Sequence, residues 1–253
     1  MATAPAIDPA FAQAERQARV ELAAAFRLAA LFGWDDHVAT HMSARLPDGT
    51  FLLNPFGLLF EEITASSLMR MNLDGKVIAQ PEGTGLNPAA FAVHSAVLLG
   101  RLDAQCVIHF HSRDGVAVSA LEEGLLPLSQ NALMIWNDTA YHDYEGIVSA
   151  EEERPRLQRD LGDKHLLILR NHGTLALGRS IASAFSRIYA LEWACTTQVN
   201  TLAMGRSLRL PEAAVLDKMG GIATPAFTEH VAEMAFWPAM LRKARREFPG
   251  FDA

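Results

Sequence analysis

The chain has 253 residues, with 22 Lys+Arg against 29 Asp+Glu and a formal net charge of −7. Hydrophobic residues make up 50% and charged ones 20%, a mixture rich enough in core formers to exclude a disordered chain. The acidic balance excludes broad binding to nucleic acid or to an anionic membrane surface, since both need basic patches.

Residues 1–9 read as a loose leader, without the basic start and apolar core of a signal peptide. From Phe11 to Phe32 apolar residues recur at helical spacing, and Gly33 is a natural stop. Pro47-Asp48-Gly49 between two extended segments predicts a hairpin over 42–54, and Asp74-Gly75 predicts a second over 68–79. Asn87-Pro88 starts a helix that runs to about Gly100, Asn87 capping free N–H groups and Pro88 standing where none is needed. Cys106–His111 and His165–Leu169 read as buried strands. Between them, Ser149 to Glu152 is a capping box opening a polar helix towards Leu161. A long helix follows from Ile181 to Met204, closed by Gly205. Beyond Pro211 the pattern is less regular until a helix near Glu229–Phe248, whose basic end suits the helix dipole.

Interleaved strands and helices with early hairpins predict a three-layer α/β/α sandwich with a mixed or antiparallel sheet. Residues 10–225 are expected to form one domain. Residues 226–253 are expected to add a helical segment, with Phe236 and Trp237 either crossing a subunit boundary or sealing the last helix. No run is apolar enough to span a bilayer. Cys106 and Cys195 both lie in apolar runs, which suits a reducing compartment, so a cytoplasmic protein is expected.

Several chemistries are missing. There is no dinucleotide fingerprint, no P-loop and no G-x-S-x-G elbow. The four lysines all sit in polar settings that would not prepare one for imine chemistry. What stands out is His109-Phe110-His111 at the end of an apolar strand, where residues two apart share a face. His172, in Asn171-His172-Gly173, follows a second apolar strand, and Gly173 is expected to allow the tight turn that aims it. Three imidazoles with open positions would make a catalytic divalent site. Two core histidines and a turn histidine are the alternative, and the residues alone leave the two readings level.

Seven stretches carry a family resemblance: LAALFGWDDHVATHMSARLPDG, LLNPFGLLFEEITASSL, GLNPAAFAVHSAVL, CVIHFHSRDGVAVSAL, GLLPLSQNAL, AYHDYEG and LLILRNHGTLALG. In this order, over roughly residues 20–205, the chain resembles the class II aldolase/adducin family, on its adducin head-domain side. The resemblance implies an α/β/α fold with a mostly antiparallel sheet, a homotetramer with active sites between subunits, and a small-molecule substrate. It further implies that His109, His111 and His172 ligate a divalent metal, Zn2+ by family habit, with Mn2+, Fe2+ and Co2+ also suited to imidazole.

Two departures from the family's sugar-phosphate aldolases bear on the reaction. The position of their catalytic glutamate falls at about Ala90. Their phosphate loops correspond to Thr40-His41, Phe56-Gly57 and Pro88-Ala89, where Phe and Pro supply no side-chain donor for a phosphate. The expected activity is therefore a metal-dependent carbon–carbon lyase, an aldolase or a decarboxylase, acting on a non-phosphorylated hydroxy or oxo acid or carbonyl compound. Acid/base candidates are His41, His142, Tyr144 and Glu82, whereas His94 reads as a packing residue. Gln130 and Asn131 either orient ligand or cap a turn, and Phe56, Phe60, Phe91 and Trp136 either line an aromatic pocket or fill the core. Two alternatives stand beside the lyase: a non-catalytic adducin-like oligomerisation module, and an iron(II) oxygenase on the same fold.

Overall fold

A computed structural model describes residues 8–146 and 150–253. Helix α1 (Pro9–Phe32) begins earlier than its apolar spacing predicts, because Asp8 accepts the Ala10 N–H and Pro9 fits the first turn. Residues 8 and 9 thus belong to the helix start, and the rest of the expected leader lies outside the described residues. The helix ends as expected, with Gly33 at φ +71°.

Both hairpins form. Strand β1 (His41–Arg45) pairs with β2 (Phe51–Leu53), and β3 (Met69–Met71) with β4 (Val77–Ala79). Helix α2 (Pro88–Gly100) starts on Asn87, whose side chain accepts the Ala89 and Ala90 N–H groups. Then come β5 (Cys106–Phe110), α3 (Arg113–Ser119), α4 (Gln130–Ile135), β6 (Thr139–His142), α5 (Ala150–Leu161), β7 (Leu166–Leu169) and β8 (Gly173–Gly178). The predicted cap Ser149 lies outside the described residues. The last helices are α6 (Ile181–Ala203), α7 (Ala213–Ile222), α8 (Pro225–Val231) and α9 (Trp237–Glu247).

The eight strands make one sheet in the order β4-β3-β2-β1-β5-β8-β7-β6. Every pairing is antiparallel except β6 with β7. Strand alternation divides the apolar side chains between two faces. Cys106, Ile108 and Phe110 of β5 join the core beneath α1, α6 and α9. Val107 joins a second core with Ala96 and Val97 of α2 and Leu157 of α5. The sheet therefore sits between two helical layers, the sandwich that the sequence predicts.

The expected boundary at 225/226 is not a boundary in packing. Trp237 is buried against Phe185 with ring centroids 5.5 Å apart, and Phe236 meets Tyr189 at 5.2 Å. The carbonyls of Phe251 and Ala253 accept the N–H groups of Ala65 and Ser66. Phe236 and Trp237 thus seal the last helices onto their own chain. The expected single helix over 229–248 is two, joined by a π-turn at Ala232–Phe236 ahead of Pro238, which has no N–H to continue an α-helical ladder.

Where β5 and β7 begin, charged groups answer one another. Arg101 binds Asp103 at 2.8 Å, and His165 Nδ1 lies 2.8 Å from Asp138 Oδ1. The fully buried Arg187 of α6 spans Asp138 at 3.7 Å and Glu229 of α8 at 3.3 Å.

Candidate metal centre

The other ends of β5 and β7 bring the three predicted histidines together. His109 is the fourth residue of β5, His111 stands one residue past its end, and His172 occupies the turn between β7 and β8. The register places Leu175 of β8 opposite His109, which carries the turn back alongside β5. The three Nε2 atoms lie 2.9, 2.9 and 3.3 Å apart. Nitrogens about 2.0–2.1 Å from one tetrahedral ion would sit roughly 3.3 Å apart.

Gly173 serves this turn differently from the sequence expectation. The left-handed residue is Asn171, at φ +56°, and not Gly173. Gly173 is needed for clearance: a Cβ there would lie 2.2 Å from the Phe110 carbonyl oxygen.

The rings are oriented from behind. His109 Nδ1–H donates to the Thr174 carbonyl at 2.9 Å, and His111 Nδ1–H donates to Asp36 Oδ2 at 3.2 Å. With those protons placed, both Nε2 atoms face the cluster bare, each offering a lone pair. Burial pushes His109 well below the usual imidazole range, and His41, His172 and His111 push the same way. His172 falls to about 4, chiefly through burial and then through His111. Imidazoles converging on one point, two of them with the second nitrogen held by a carbonyl or a carboxylate, are the donor set that a divalent metal needs. The residues fit the ion.

The acid/base candidates separate. His41 lies directly across β1–β5 from His109, buried, with ring centroids 5.0 Å apart. Burial and His94 hold it neutral, well below the usual histidine range. Tyr144 is half exposed, its ring 6.2 Å from that of His172. His142 is buried with both nitrogens engaged, Nδ1 on Asp160 at 2.7 Å and Nε2 on Glu153 at 3.0 Å. That clamp ties β6 to α5 and leaves no ring nitrogen for substrate. Glu82 is exposed in the β4–α2 loop, and among the described residues no hydrogen bond or ion pair joins it to the histidines. Gln130 and Asn131 open α4, which Ser129 caps.

The four aromatic candidates do not form one pocket. Phe60 is fully buried edge-on to Phe26, Phe91 packs by Gly75 in the opposite core, and Phe56 is half exposed.

Three participants escape the sequence reading. Asp36 lies in an irregular loop with no periodicity to flag it. His94 is a buried partner of His41 rather than a packing residue. Glu192 is fully buried on α6, bonded to the Ser112 hydroxyl and, at 2.5 Å, to the Thr174 hydroxyl. Burial raises it to about 7, against the lowering by those two bonds. Glu192 thus underpins the two residues that follow His111 and hold His109. A carboxylate in the apolar stripe of Ile188, Leu191 and Cys195 was its available signal.

A family model for the class II aldolase and adducin N-terminal domain matches residues 20–199. A Caulobacter vibrioides protein provisionally named a class 2 aldolase is 48% identical over 253 residues, covering 94% of this chain and 93% of its own. Mouse alpha-adducin is 46% identical over 198 residues, 77% of this chain but 27% of that protein. Among solved structures, an aldolase II superfamily protein from Pseudomonas syringae superposes with a TM-score of 0.88 at 44% identity, covering 98% of both chains. L-fuculose 1-phosphate aldolase from Glaciozyma antarctica PI12 gives 0.80 at 27% identity, covering 98% of this chain and 96% of its own.

Proposed function

This chain belongs to the family of class II aldolases and adducin N-terminal domains, and on that premise we propose that it is a divalent-metal-dependent carbon–carbon lyase acting on a non-phosphorylated hydroxy or oxo acid. The observation that carries the reading is the convergence of three Nε2 atoms, two of them, on His109 and His111, with the partner nitrogen already committed. Held by His109, His111 and His172, zinc (or manganese, iron or cobalt) would supply a Lewis acid to two adjacent oxygens of the acid.

The remaining residues favour one branch of the chemistry. Aldol cleavage needs a group to take a hydroxyl proton, and Ala90 offers none at the start of α2. Decarboxylation of an oxo acid breaks the bond to the carboxylate carbon and releases carbon dioxide. The electron pair stays on the remaining fragment, whose carbon then takes a proton. His41 stands beside His109 to contact the fragment's oxygen, and the half-exposed Tyr144 hydroxyl is the group to return that proton, replenished from water. Asp36 and Thr174 keep the ligand rings in register.

The test is elemental analysis of tag-free protein together with carbon dioxide release from a panel of small hydroxy and oxo acids. About one ion per chain and chelator-sensitive release are expected, as for a site with open positions. A site that stays empty whatever ion is offered ends the reading. L-fuculose 1-phosphate is the substrate named for the Glaciozyma antarctica relative, and here its phosphate would meet Phe56 and Pro88. Tight calorimetric binding of that compound would overturn the non-phosphorylated assignment. We further propose a homotetramer with sites completed between subunits, the assembly that the family resemblance implies. A monomeric mass in solution would remove it.

The 46% identity to alpha-adducin supports a second reading, a non-catalytic oligomerisation module. Such a module has no use for three converging imidazole nitrogens, so the metal analysis decides between the two.

A further inference from the structure

A buried row of side chains behind His41 is left unused by this mechanism. Ser43 Oγ lies 2.5 Å from His94 Nδ1, and His94 Nε2 lies 2.8 Å from His41 Nδ1. Ser43 and His94 are fully buried and His41 nearly so. The row runs between sheet and helix: Ser43 and His41 share one face of β1, and His94 comes from α2, one turn beyond Ala90.

Hydrogen-bond chemistry gives the row a direction. A serine hydroxyl carries one proton that needs an acceptor, and burying it unmet is costly. Among the described residues, the Ser43 hydroxyl has one partner, His94 Nδ1. Ser43 therefore donates, and His94 Nδ1 is bare. A neutral imidazole with a bare Nδ1 carries its proton on Nε2. His94 thus donates to His41 Nδ1, which makes that nitrogen bare and puts the His41 proton on Nε2. That nitrogen has no protein partner among the described residues, and it lies on the ring edge away from α2, beside His109.

We infer that Ser43, His94 and His41 form a one-way hydrogen-bond chain that fixes His41 as an N–H donor at the metal centre, so that the site receives an oxygen bearing negative charge, a carboxylate or developing enolate, against His41 Nε2. The ligand half of this inference rests on the lyase reading; the direction of the chain does not. In this arrangement His41 stabilises charge and takes up no proton, and Ser43 and His94 are positioning residues. If Ser43 and His94 merely filled space, either tautomer would serve and His41 would have no fixed polarity.

The direction is read by long-range 1H–15N correlation of the full chain, labelled with 15N-histidine, both metal-free and zinc-loaded. Assignments come from S43A, H94Q and H41Q. The expected result is a proton on Nε2 of both His94 and His41 in the metal-free protein, with S43A releasing His94 to the Nδ1–H form. A proton on Nδ1 of either ring in the unsubstituted protein overturns the chain, whether or not zinc binds. The ligand half is read by calorimetric titration of zinc-loaded protein with oxalate. H41Q retains an N–H donor and is expected to hold oxalate within about threefold of the parent, whereas H41F is expected to lose about tenfold, one hydrogen bond's worth. Equal affinity in H41F, or no oxalate binding by the zinc-loaded parent, refutes the oxyanion assignment while leaving the chain's direction to the NMR result. Failure to load zinc refutes the lyase reading itself.

Discussion

Strands β5 and β7 each run from one cluster of titratable groups to another, and the two clusters solve burial in opposite ways. At their starts, Arg101, Asp103, Asp138, Arg187 and Glu229 alternate in sign, each answered by a neighbour, and His165 sets a ring nitrogen against Asp138. At their far ends, His109, His111 and His172 turn like groups towards one another, with nothing of opposite charge between them. A cluster that satisfies itself holds the fold together; one that gathers unanswered lone pairs is built to receive something else.

Substitutions at four positions would break or sharpen this contrast. The largest effect is expected from H172A, which should reduce bound metal from about one ion per chain to near zero by elemental analysis, since three ligands are the minimum for such a site. Thermal stability without metal should change little. At the opposite end, R187A should do the reverse. It strands Asp138 and Glu229 and is expected to cost about 3–5 kcal/mol in denaturant unfolding, with metal stoichiometry intact, whereas R187M, keeping the volume, should also be costly but less so. Removing the Asp36 carboxylate should weaken metal binding by roughly 10–100-fold in chelator competition, because His111 loses the group that orients it. An unchanged affinity in D36A would show that the loop merely covers the ring.

The remaining effect is one of pH dependence and concerns Glu192. Its carboxyl ionises at about 7 when folded, against an ordinary value of 4.5. Its stabilising contribution is thus fully present below about pH 4.5 and is lost as pH rises through about 7. His94, lowered to about 3 by burial, works in the other direction, losing its contribution as pH falls below its ordinary 6.5. E192Q should therefore remove only the first slope, seen as a difference in unfolding free energy between parent and variant across that window.

What the sequence reveals follows the range of the physics. Asn87-Pro88, Gly33 and the two turn dipeptides act within a few residues, and the structure places all of them where local rules put them. The histidine triad is legible because period-two alternation sets His109 beside His111 and His172 follows a second apolar strand, although the residues alone leave a metal site and structural histidines level and only the family resemblance favours the former. His94 reads as a packing residue in the sequence because its partners, His41 and Ser43, lie 53 and 51 residues away and meet it only through the sheet. His142 reads as a catalyst in the sequence because no local rule announces that Glu153 and Asp160, 11 and 18 residues on, take both its nitrogens. Strands β6 and β8 were likewise missed, the first joining the edge by a parallel pairing that only the assembled fold defines. The boundary expected at 225/226 was drawn on a change of pattern, whereas the Trp237–Phe185 contact is long-range.

The close approach of Phe110 to Gly173 has a kinetic meaning. Beside that close approach, Phe110 is paired with Thr174 in the β5–β8 ladder, so the segments bearing His111 and His172 are already held together before an ion arrives. The cradle exists before its occupant does. Loading should thus be limited by dehydration of the incoming ion rather than by chain reorganisation, and it should leave far-ultraviolet dichroism and heat capacity nearly unchanged, the opposite of a small zinc domain that folds only on meeting its metal.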